Sequence, residues 1–101
     1  MREFLRGAVR LHVLHHAAAG EIHGAWMAQE LARHGYQISP GTLYPTLHKM
    51  EAEGLLRSRS EVVAGRARRR YLATDQGRLA LAQAKEQLRE LAHELLVDPS
   101  S

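Results

Sequence analysis

Arginine side chains are concentrated in one short segment of this 101-residue chain. Residues 57–70 hold six arginines and one acidic residue, a net charge of +5, whereas the rest of the chain carries a net charge of −2. Guanidinium groups stay charged at neutral pH and form bidentate hydrogen bonds with phosphate oxygens. The segment therefore indicates a polyanion contact at one place, and the alternative is a solvated arginine-rich loop.

The seven histidines offer a second kind of chemistry. His12 and His16 are four residues apart in a segment with helical periodicity, so both imidazoles face one side of the predicted helix. This spacing is used to bind divalent metals such as Zn²⁺, and His93 or Glu94 near the carboxyl end is a candidate third ligand. The alternative is a set of hydrogen-bonded histidines at an interface, which titrate near neutral pH.

The composition excludes several classes of protein. Because the chain has no cysteine, it has no disulfide, thiolate ligand or thiol nucleophile. It contains no glycine-rich phosphate loop or His-Glu-x-x-His motif and is short for a substrate cavity, so we expect no enzyme and no required cofactor. Without a secretory signal or an apolar run of about 20 residues, we expect a cytoplasmic location and no membrane partner.

Three helices are predicted in the first half of the chain. Apolar residues at helical spacing indicate helices over about 4–18 and 25–34, and Trp26 in the second is expected to be a buried anchor. A third helix is expected over 43–53, with Thr42 as its N-cap and Pro45 in its first turn, where a missing N–H costs nothing. Its inward face would leave hydrogen-bonding and cationic groups exposed.

The second half of the chain predicts a hairpin and one long helix. Residues 55–63 and 68–73 flank Gly65 and favour two β-strands, so the basic segment lies on a hairpin. Thr74 is the expected N-cap of a helix that continues to about residue 97. Its apolar residues follow a heptad spacing typical of a helix that packs on a second copy of the chain: Leu81, Ala84, Leu88, Leu91 and Leu95.

The order of these elements predicts a mainly α (α+β) fold, a winged helix-turn-helix with a two-stranded wing and a long C-terminal dimerisation helix. We assign residues 1–74 to the winged domain, 75–98 to the dimerisation helix and 99–101 to a disordered tail. Leu5 and Val9 of the broadly apolar first helix are expected to join the dimer interface. Such a fold presents one helix to the major groove of DNA and the hairpin to its backbone.

Several motifs resemble the PadR family of bacterial transcriptional regulators: residues 35–36, 38–45 (Ile-Ser-Pro-Gly-Thr-Leu-Tyr-Pro), 51–56 (Glu-Ala-Glu-Gly-Leu-Leu) and 69–71 (Arg-Arg-Tyr). The resemblance implies a homodimer, joined through its terminal helices, that binds palindromic operator DNA and usually represses. It places a first set of residues on the recognition helix and its approach, namely Ser39, Thr42, Tyr44, Thr46, His48 and Lys49. It places Arg66, Arg68 and Arg69 on the wing.

The predicted function is therefore a homodimeric repressor that binds double-stranded operator DNA and is released by a small effector. One alternative is a metal-responsive regulator that uses the first-helix histidines. Another is an adaptor that keeps the winged fold and contacts proteins without binding DNA.

Overall fold

Four α-helices and a small antiparallel sheet form a fold that is mainly helical, as predicted. The computed structural model describes residues 1–97 and Pro99, so the predicted tail lies, apart from Pro99, outside the described residues. The elements in chain order are α1 (Arg2–Ala19), β1 (Ile22–His23), α2 (Gly24–Arg33), α3 (Pro40–Ala52), β2 (Leu56–Val63), β3 (Arg66–Ala73) and α4 (Asp75–Ala92). A π-helical segment (His93–Val97) follows α4, where the sequence predicted regular helix. No helix in the described part of the chain is long and apolar enough to cross a membrane.

One hydrophobic core joins the helices to the sheet. Met27 and Leu31 of α2 meet Leu43 and Leu47 of α3 there, and all four are fully buried. Removing a leucine side chain of this size from water contributes roughly 1.5–3 kcal/mol. These contacts fix α3 against α2 and leave the opposite side of α3 exposed.

Two residues assigned to a dimer interface belong to this core instead. Val9 and Leu81 are 7% and 8% exposed in a single chain. The reason is that α4 begins by packing along α1, where Arg78 Nη1 donates to the carbonyl oxygen of Ala18 (2.9 Å). Val9 and Leu81 therefore have little surface to offer a second copy.

The sheet has three strands in the order β1-β3-β2. Strands β2 and β3 form the wing, a hairpin paired from Leu56↔Ala73 to Val63↔Arg66. Ala64 and Gly65 connect them with φ angles of 52° and 77°, the left-handed pair that matches the twist of a two-residue hairpin. The added strand β1 pairs with β3 at the base of the wing, and its two residues are too few to show a periodicity in the sequence.

The start of α3 differs from the sequence prediction. Ser39 is the N-cap residue and Pro40 is the first helical residue, so Thr42 lies inside the helix. The amides of Thr42 and Leu43 both donate to the Ser39 carbonyl oxygen (3.0 and 2.9 Å). Proline suits the first helical position because its φ is already helical and no hydrogen bond is lost there. Pro45, which was expected in the first turn of the helix, therefore lies one turn later than predicted.

Candidate nucleic-acid interface

Helix α3 presents polar side chains on the side away from the core. Because Leu43, Leu47 and Met50 are fully buried, the residues between them point outward, and Tyr44, His48 and Lys49 are exposed. Tyr44 retains 41% of its surface although part of its ring packs on Gly24. Helix α3 thus exposes an aromatic, an imidazole and an ammonium group to solvent.

Five of the nine residues predicted to contact DNA line a single cleft of about 360 Å³ between α3 and the wing. Tyr44 and His48 form the α3 side, and Arg66, Arg68 and Arg69 form the wing side. His23 at the end of β1 and Gly24 at the start of α2 also line the cleft and were not identified from the sequence. The fold therefore brings the predicted recognition-helix residues and the predicted wing residues to the same cleft, although they are about 20 residues apart in the sequence.

The other predicted contact residues lie elsewhere on α3. Thr42, Thr46 and Lys49 line a separate cleft of about 610 Å³ between α1 and α3. The Thr46 hydroxyl donates to the Thr42 carbonyl oxygen (2.8 Å), and the Ser39 hydroxyl donates to Thr42 Oγ1 (3.3 Å). The Thr46 hydroxyl is thereby engaged by the helix itself, whereas Lys49 is exposed.

The arginines of the wing are divided by their ion pairs. Arg59 binds Glu21 through two hydrogen bonds (2.7 and 2.9 Å), which lower the pKa of the Glu21 carboxyl. Arg70 Nε lies 2.6 Å from Glu61 Oε1. Within the described residues, Arg66 and Arg68 form no ion pair, and both are exposed. Arg57, at the base of β2, is likewise exposed and has no ion pair in this part of the chain, so the wing carries free positive charge both near its tip and at its base.

Arg69 also lines the cleft, but strand alternation places it on the face of β3 that carries buried Tyr71, opposite the face that carries Arg66 and Arg68. Its Nη1 donates to the Ser58 hydroxyl (3.1 Å), and Ser58 donates to Glu51 Oε2 through both its amide and its hydroxyl (2.9 and 2.8 Å). Glu51 belongs to α3, Ser58 to β2 and Arg69 to β3. This chain of hydrogen bonds links α3 to the wing.

The predicted metal ligands are not brought together. His12 packs against the rings of His34 and Tyr36 (centroids 5.0 and 5.1 Å), and His93 is exposed at the far end of α4. In residues 1–97 and 99, no group of three or more His, Cys, Asp or Glu could hold a metal ion. Arg78 at the start of α4 contacts Ala18 at the end of α1, and Leu88 shares a cleft with Phe4, so α4 runs antiparallel to α1 and His93 lies away from His12 and His16 of the same chain.

Glu30 of α2 is the centre of a polar cluster that the sequence did not identify. Its carboxylate accepts hydrogen bonds from Arg33 (2.9 Å) and His34 (3.2 Å), and His16 Nε2 lies 3.2 Å away. The hydrogen bond from Arg33, followed by that from His34, lowers the pKa of Glu30 to about 2. Burial lowers the pKa of His16 below 6.5, although Glu30 opposes that shift.

Trp26 packs its ring against His16, with centroids 5.1 Å apart, but remains 44% exposed. The expectation of a buried tryptophan is therefore wrong. Helix α2 turns Met27 and Leu31 inward, and Trp26 lies beside that face rather than on it.

Apolar side chains remain exposed on α1 and α4. Leu5, Leu88, Leu91 and Leu95, all predicted at a dimer interface, are 51%, 49%, 43% and 67% exposed, whereas Ala84 is half-buried. A cleft of about 510 Å³ opens between the two helices, with Phe4, Leu11 and Leu88 among its lining residues. We call Leu88, Leu91 and Leu95 the leucine seam, and a single chain leaves these side chains exposed to solvent.

Known proteins show the same pattern in sequence and in structure. Residues 13–83 match the transcriptional regulator PadR-like family. The transcriptional regulator Rv3488 of Mycobacterium tuberculosis is 66% identical over 96 residues, which cover 95% of this chain and 90% of that protein.

Among solved structures, a PadR family regulator from Eggerthella lenta superposes with a TM-score of 0.82 at 30% identity, covering 92% of this chain and 82% of that one. The PadR of Bacillus subtilis, solved in complex with operator DNA, shares the fold with a TM-score of 0.68 at 20% identity, covering 75% of this chain and 46% of that one. The resemblance inferred from the sequence is confirmed, as is the expectation of a protein that is not an enzyme. The chain belongs to the PadR-like family of transcriptional regulators.

Proposed function

We propose that this chain is a homodimeric repressor that binds operator DNA in a sequence-specific manner and is released by a small effector. The observation that carries the proposal is the single cleft lined by Tyr44 and His48 of α3 and by Arg66 and Arg68 of the wing. The Bacillus subtilis relative that shares this fold was solved with operator DNA. We infer that the present chain uses the corresponding elements.

The exposed side of α3 suits the major groove, which is wide enough to admit an α-helix. Tyr44 and His48 offer hydrogen-bonding groups that can reach base edges, and Lys49 offers a charge for a phosphate oxygen. Arg66 and Arg68, near the tip of the wing, are free to follow the backbone or enter the minor groove. In this arrangement α3 supplies sequence discrimination, and the wing supplies most of the salt-dependent affinity.

Dimerisation explains the apolar surface that one chain leaves uncovered. Leu88 and Leu91 of α4 and Leu95 of the π-helical segment that follows it are exposed, and a second copy of this part of the chain can bury them. A twofold dimer carries two α3 helices and therefore binds two half-sites of a palindrome, about 34 Å apart along the duplex. The separation of those half-sites depends on how the two α4 helices pack.

An effector acts on this dimer if it binds its DNA-competent and incompetent arrangements with different affinity. The cleft of about 510 Å³ between α1 and α4 has the volume of a small-molecule site and adjoins Leu88. Occupation of the cleft would change how α4 packs on a partner and so change the spacing of the α3 helices. We propose this cleft as the place where a small apolar effector releases the operator.

The test is a titration of DNA from the region upstream of this protein's own gene, in which fluorescence anisotropy measures binding at several salt concentrations. Each phosphate contact contributes about 0.9 to the slope of log K against log salt. We expect Arg66→Ala and Arg68→Ala together to weaken binding and lower that slope. The matched control is Arg89→Ala, which removes an exposed arginine paired with Glu86 on α4.

If the unaltered protein shifts none of the upstream DNA, the repressor proposal is wrong and the adaptor alternative is favoured. If the wing variants bind as the control does, the tip of the wing is not part of the DNA surface. Adding Zn²⁺ to the same titration tests the metal-responsive alternative, because His12→Ala and His16→Ala should abolish any response that depends on those ligands.

A further inference from the structure

We propose that the amino-terminal half of α1 is a second phosphate-binding surface, on the side of α3 opposite the wing. We call it the α1 arginine track and define it as Arg2, Arg6 and Arg10. The inference rests on the proposed function, since it assigns a further part of the same DNA contact. It extends the DNA surface beyond the helix-turn-helix and the wing.

The track is a regular feature of α1. Arg2, Arg6 and Arg10 are spaced four residues apart, which places them one above another on a single face of the helix. Arg2 and Arg6 are exposed and form no ion pair within the described residues, whereas Arg10 pairs with Glu53 at the carboxyl end of α3. Two of the three guanidinium groups are thus free to bind an external anion.

The position of the track relative to α3 is set by the cleft between the two helices. Arg6 and Arg10 line one wall of this cleft of about 610 Å³, and Thr42 and Lys49 line the other. The Arg10–Glu53 ion pair connects the two walls at one end of the cleft. Lys49 and Arg6 therefore offer positive charge from two different helices to the same opening.

The wing lies on the other side of α3. Tyr44 and His48 face the wing cleft, whereas Thr42 and Lys49 face the α1 cleft. Exposed cations consequently flank α3 on both sides: Arg66 and Arg68 on one, Arg6 and Lys49 on the other.

This two-sided arrangement matches the shape of the expected partner. A helix in the major groove has a phosphate backbone on each side of it, and contacts to both fix its depth and register. If only the wing bound phosphate, α3 would be held from one side, with Lys49 as the main cation on the other. The α1 arginine track supplies the second attachment and thereby orients Tyr44 and His48 toward base edges.

The test uses the full-length protein without an amino-terminal tag and the same upstream DNA. We expect Arg2→Ala with Arg6→Ala to weaken binding about three- to tenfold at moderate salt and to lower the salt slope by about 0.9 for each phosphate that is no longer bound. Arg6→Lys keeps the charge and should retain the slope of the unaltered protein. Arg89→Ala is again the control for a surface arginine distant from α3.

Ethylation interference on the same duplex locates the contacted phosphates. We expect Arg6→Ala to abolish interference at phosphates on one side of the groove and Arg68→Ala to abolish it at a different set on the other side. A footprint and slope unchanged by the Arg2 and Arg6 substitutions would overturn the inference. A second outcome would also overturn it: the variants bind DNA more weakly, the dimer dissociates, and the salt slope is unchanged. Arg2 and Arg6 would then stabilise the dimer instead of binding phosphate.

The same data distinguish the two proposals. If the wing variants weaken binding and the track variants do not, the proposed function stands and only the α1 track is wrong. If the unaltered protein binds none of the DNA, the proposed function fails first. Circular dichroism of each variant confirms that it is folded.

Discussion

The ring of Tyr44 lies directly against the α-carbon of Gly24: a Cβ built on Gly24 would be 2.5 Å from Tyr44 Cε1 and 3.1 Å from its hydroxyl oxygen. Gly24 is the first residue of α2, and Tyr44 belongs to the exposed side of α3. The close approach requires a residue without a side chain at the start of α2. It thereby sets the direction in which Tyr44 enters the wing cleft.

We expect Gly24→Ala to displace the Tyr44 ring and weaken operator binding about tenfold, with a loss of stability of about 1 kcal/mol. The aromatic ring can turn away, whereas the backbone of α2 cannot, so affinity should fall more than stability. Thermal unfolding and anisotropy titrations measure the two effects. In a Tyr44→Ala background the same glycine substitution should have little further effect on binding, and an unchanged tenfold loss there would contradict the explanation.

A stronger effect is expected at Gly77, where α4 meets the end of the α3–β2 connection. A Cβ at this position would overlap the carbonyl oxygen of Leu55, which also accepts from the amide of Thr74 (3.1 Å). Because backbone must move on both sides, we expect Gly77→Ala to cost about 3 kcal/mol of unfolding free energy, a fall of roughly 10–20 °C in Tm.

The matched control for Gly77 is Gly7→Ala in the middle of α1, where an added Cβ meets nothing within 4 Å. Alanine is more favourable than glycine inside a helix by about 1 kcal/mol. We therefore expect the Tm of Gly7→Ala to be higher than that of the unaltered protein when both are measured at the same protein concentration. Similar losses in the two variants would show that the contact with Leu55 is not the cause.

The polar cluster around Glu30 predicts a stability that decreases in two steps as the pH is lowered. Burial lowers the pKa of His12 and His16 below 6.5, so as pH falls below 6.5 the unfolded chain binds protons that the folded chain does not, and stability decreases. The pKa of Glu30 is about 2 instead of 4.5, so its carboxylate stabilises the fold above pH 4.5 and loses that effect as pH falls toward 2. Urea unfolding at pH 7.5, 5.5 and 3.5 measures both steps.

Glu30→Gln separates the two contributions. Without the carboxylate, the pKa of His16 should fall further, because Glu30 opposes the effect of burial. We therefore expect a larger loss of stability between pH 7.5 and 5.5 and a smaller loss between pH 5.5 and 3.5. A variant with the same pH profile as the unaltered protein would show that Glu30 does not control the cluster.

A glutamate on the exposed leucine seam tests the proposed dimer. Leu91 is 43% exposed in one chain, and Leu91→Glu would place a charge in the buried centre of the interface. We expect a monomer in analytical ultracentrifugation and operator binding weaker by about 100-fold, because the two half-sites are no longer bound together. Leu79→Glu is the matched control, since Leu79 is 60% exposed but points away from the side of α4 that carries Leu81. Equal effects of the two substitutions would contradict a dimer through the seam.

The sequence predicted the architecture because helical and strand periodicities are local, and Gly65 identified the turn of the wing. It did not predict the start of α3, because Pro40 and Pro45 each fit the first turn of a helix when the local sequence is considered alone. It also missed β1, which is a strand only because β3 lies beside it. Burial of Val9 and Leu81 within one chain likewise depends on how α4 packs along α1, a relationship that no local pattern contains.

At the candidate DNA-binding site too, the sequence predicted local features and missed contacts between residues that are distant in the chain. The arginine-rich segment was evident from composition, but the ion pairs that engage Arg59 and Arg70 join residues up to 38 positions apart. Charge counting therefore could not separate the arginines that form no ion pair among the described residues, such as Arg57, Arg66 and Arg68, from the engaged ones.

Arg69 provides the last prediction, because the sequence grouped it with Arg66 and Arg68 whereas its hydrogen bond to Ser58 connects it to Glu51 on α3. If Arg69 holds the wing in position, Ser58→Ala and Arg69→Ala should each weaken operator binding about three- to tenfold with an unchanged salt slope, since every phosphate is still bound. Arg68→Ala should lower the slope. Because Ser58 and Arg69 act through one connection, the double variant should bind about as well as either single variant. A salt slope that falls in Arg69→Ala as it does in Arg68→Ala would instead identify Arg69 as a phosphate ligand, and the hydrogen bond to Ser58 would then hold the side chain only until DNA binds.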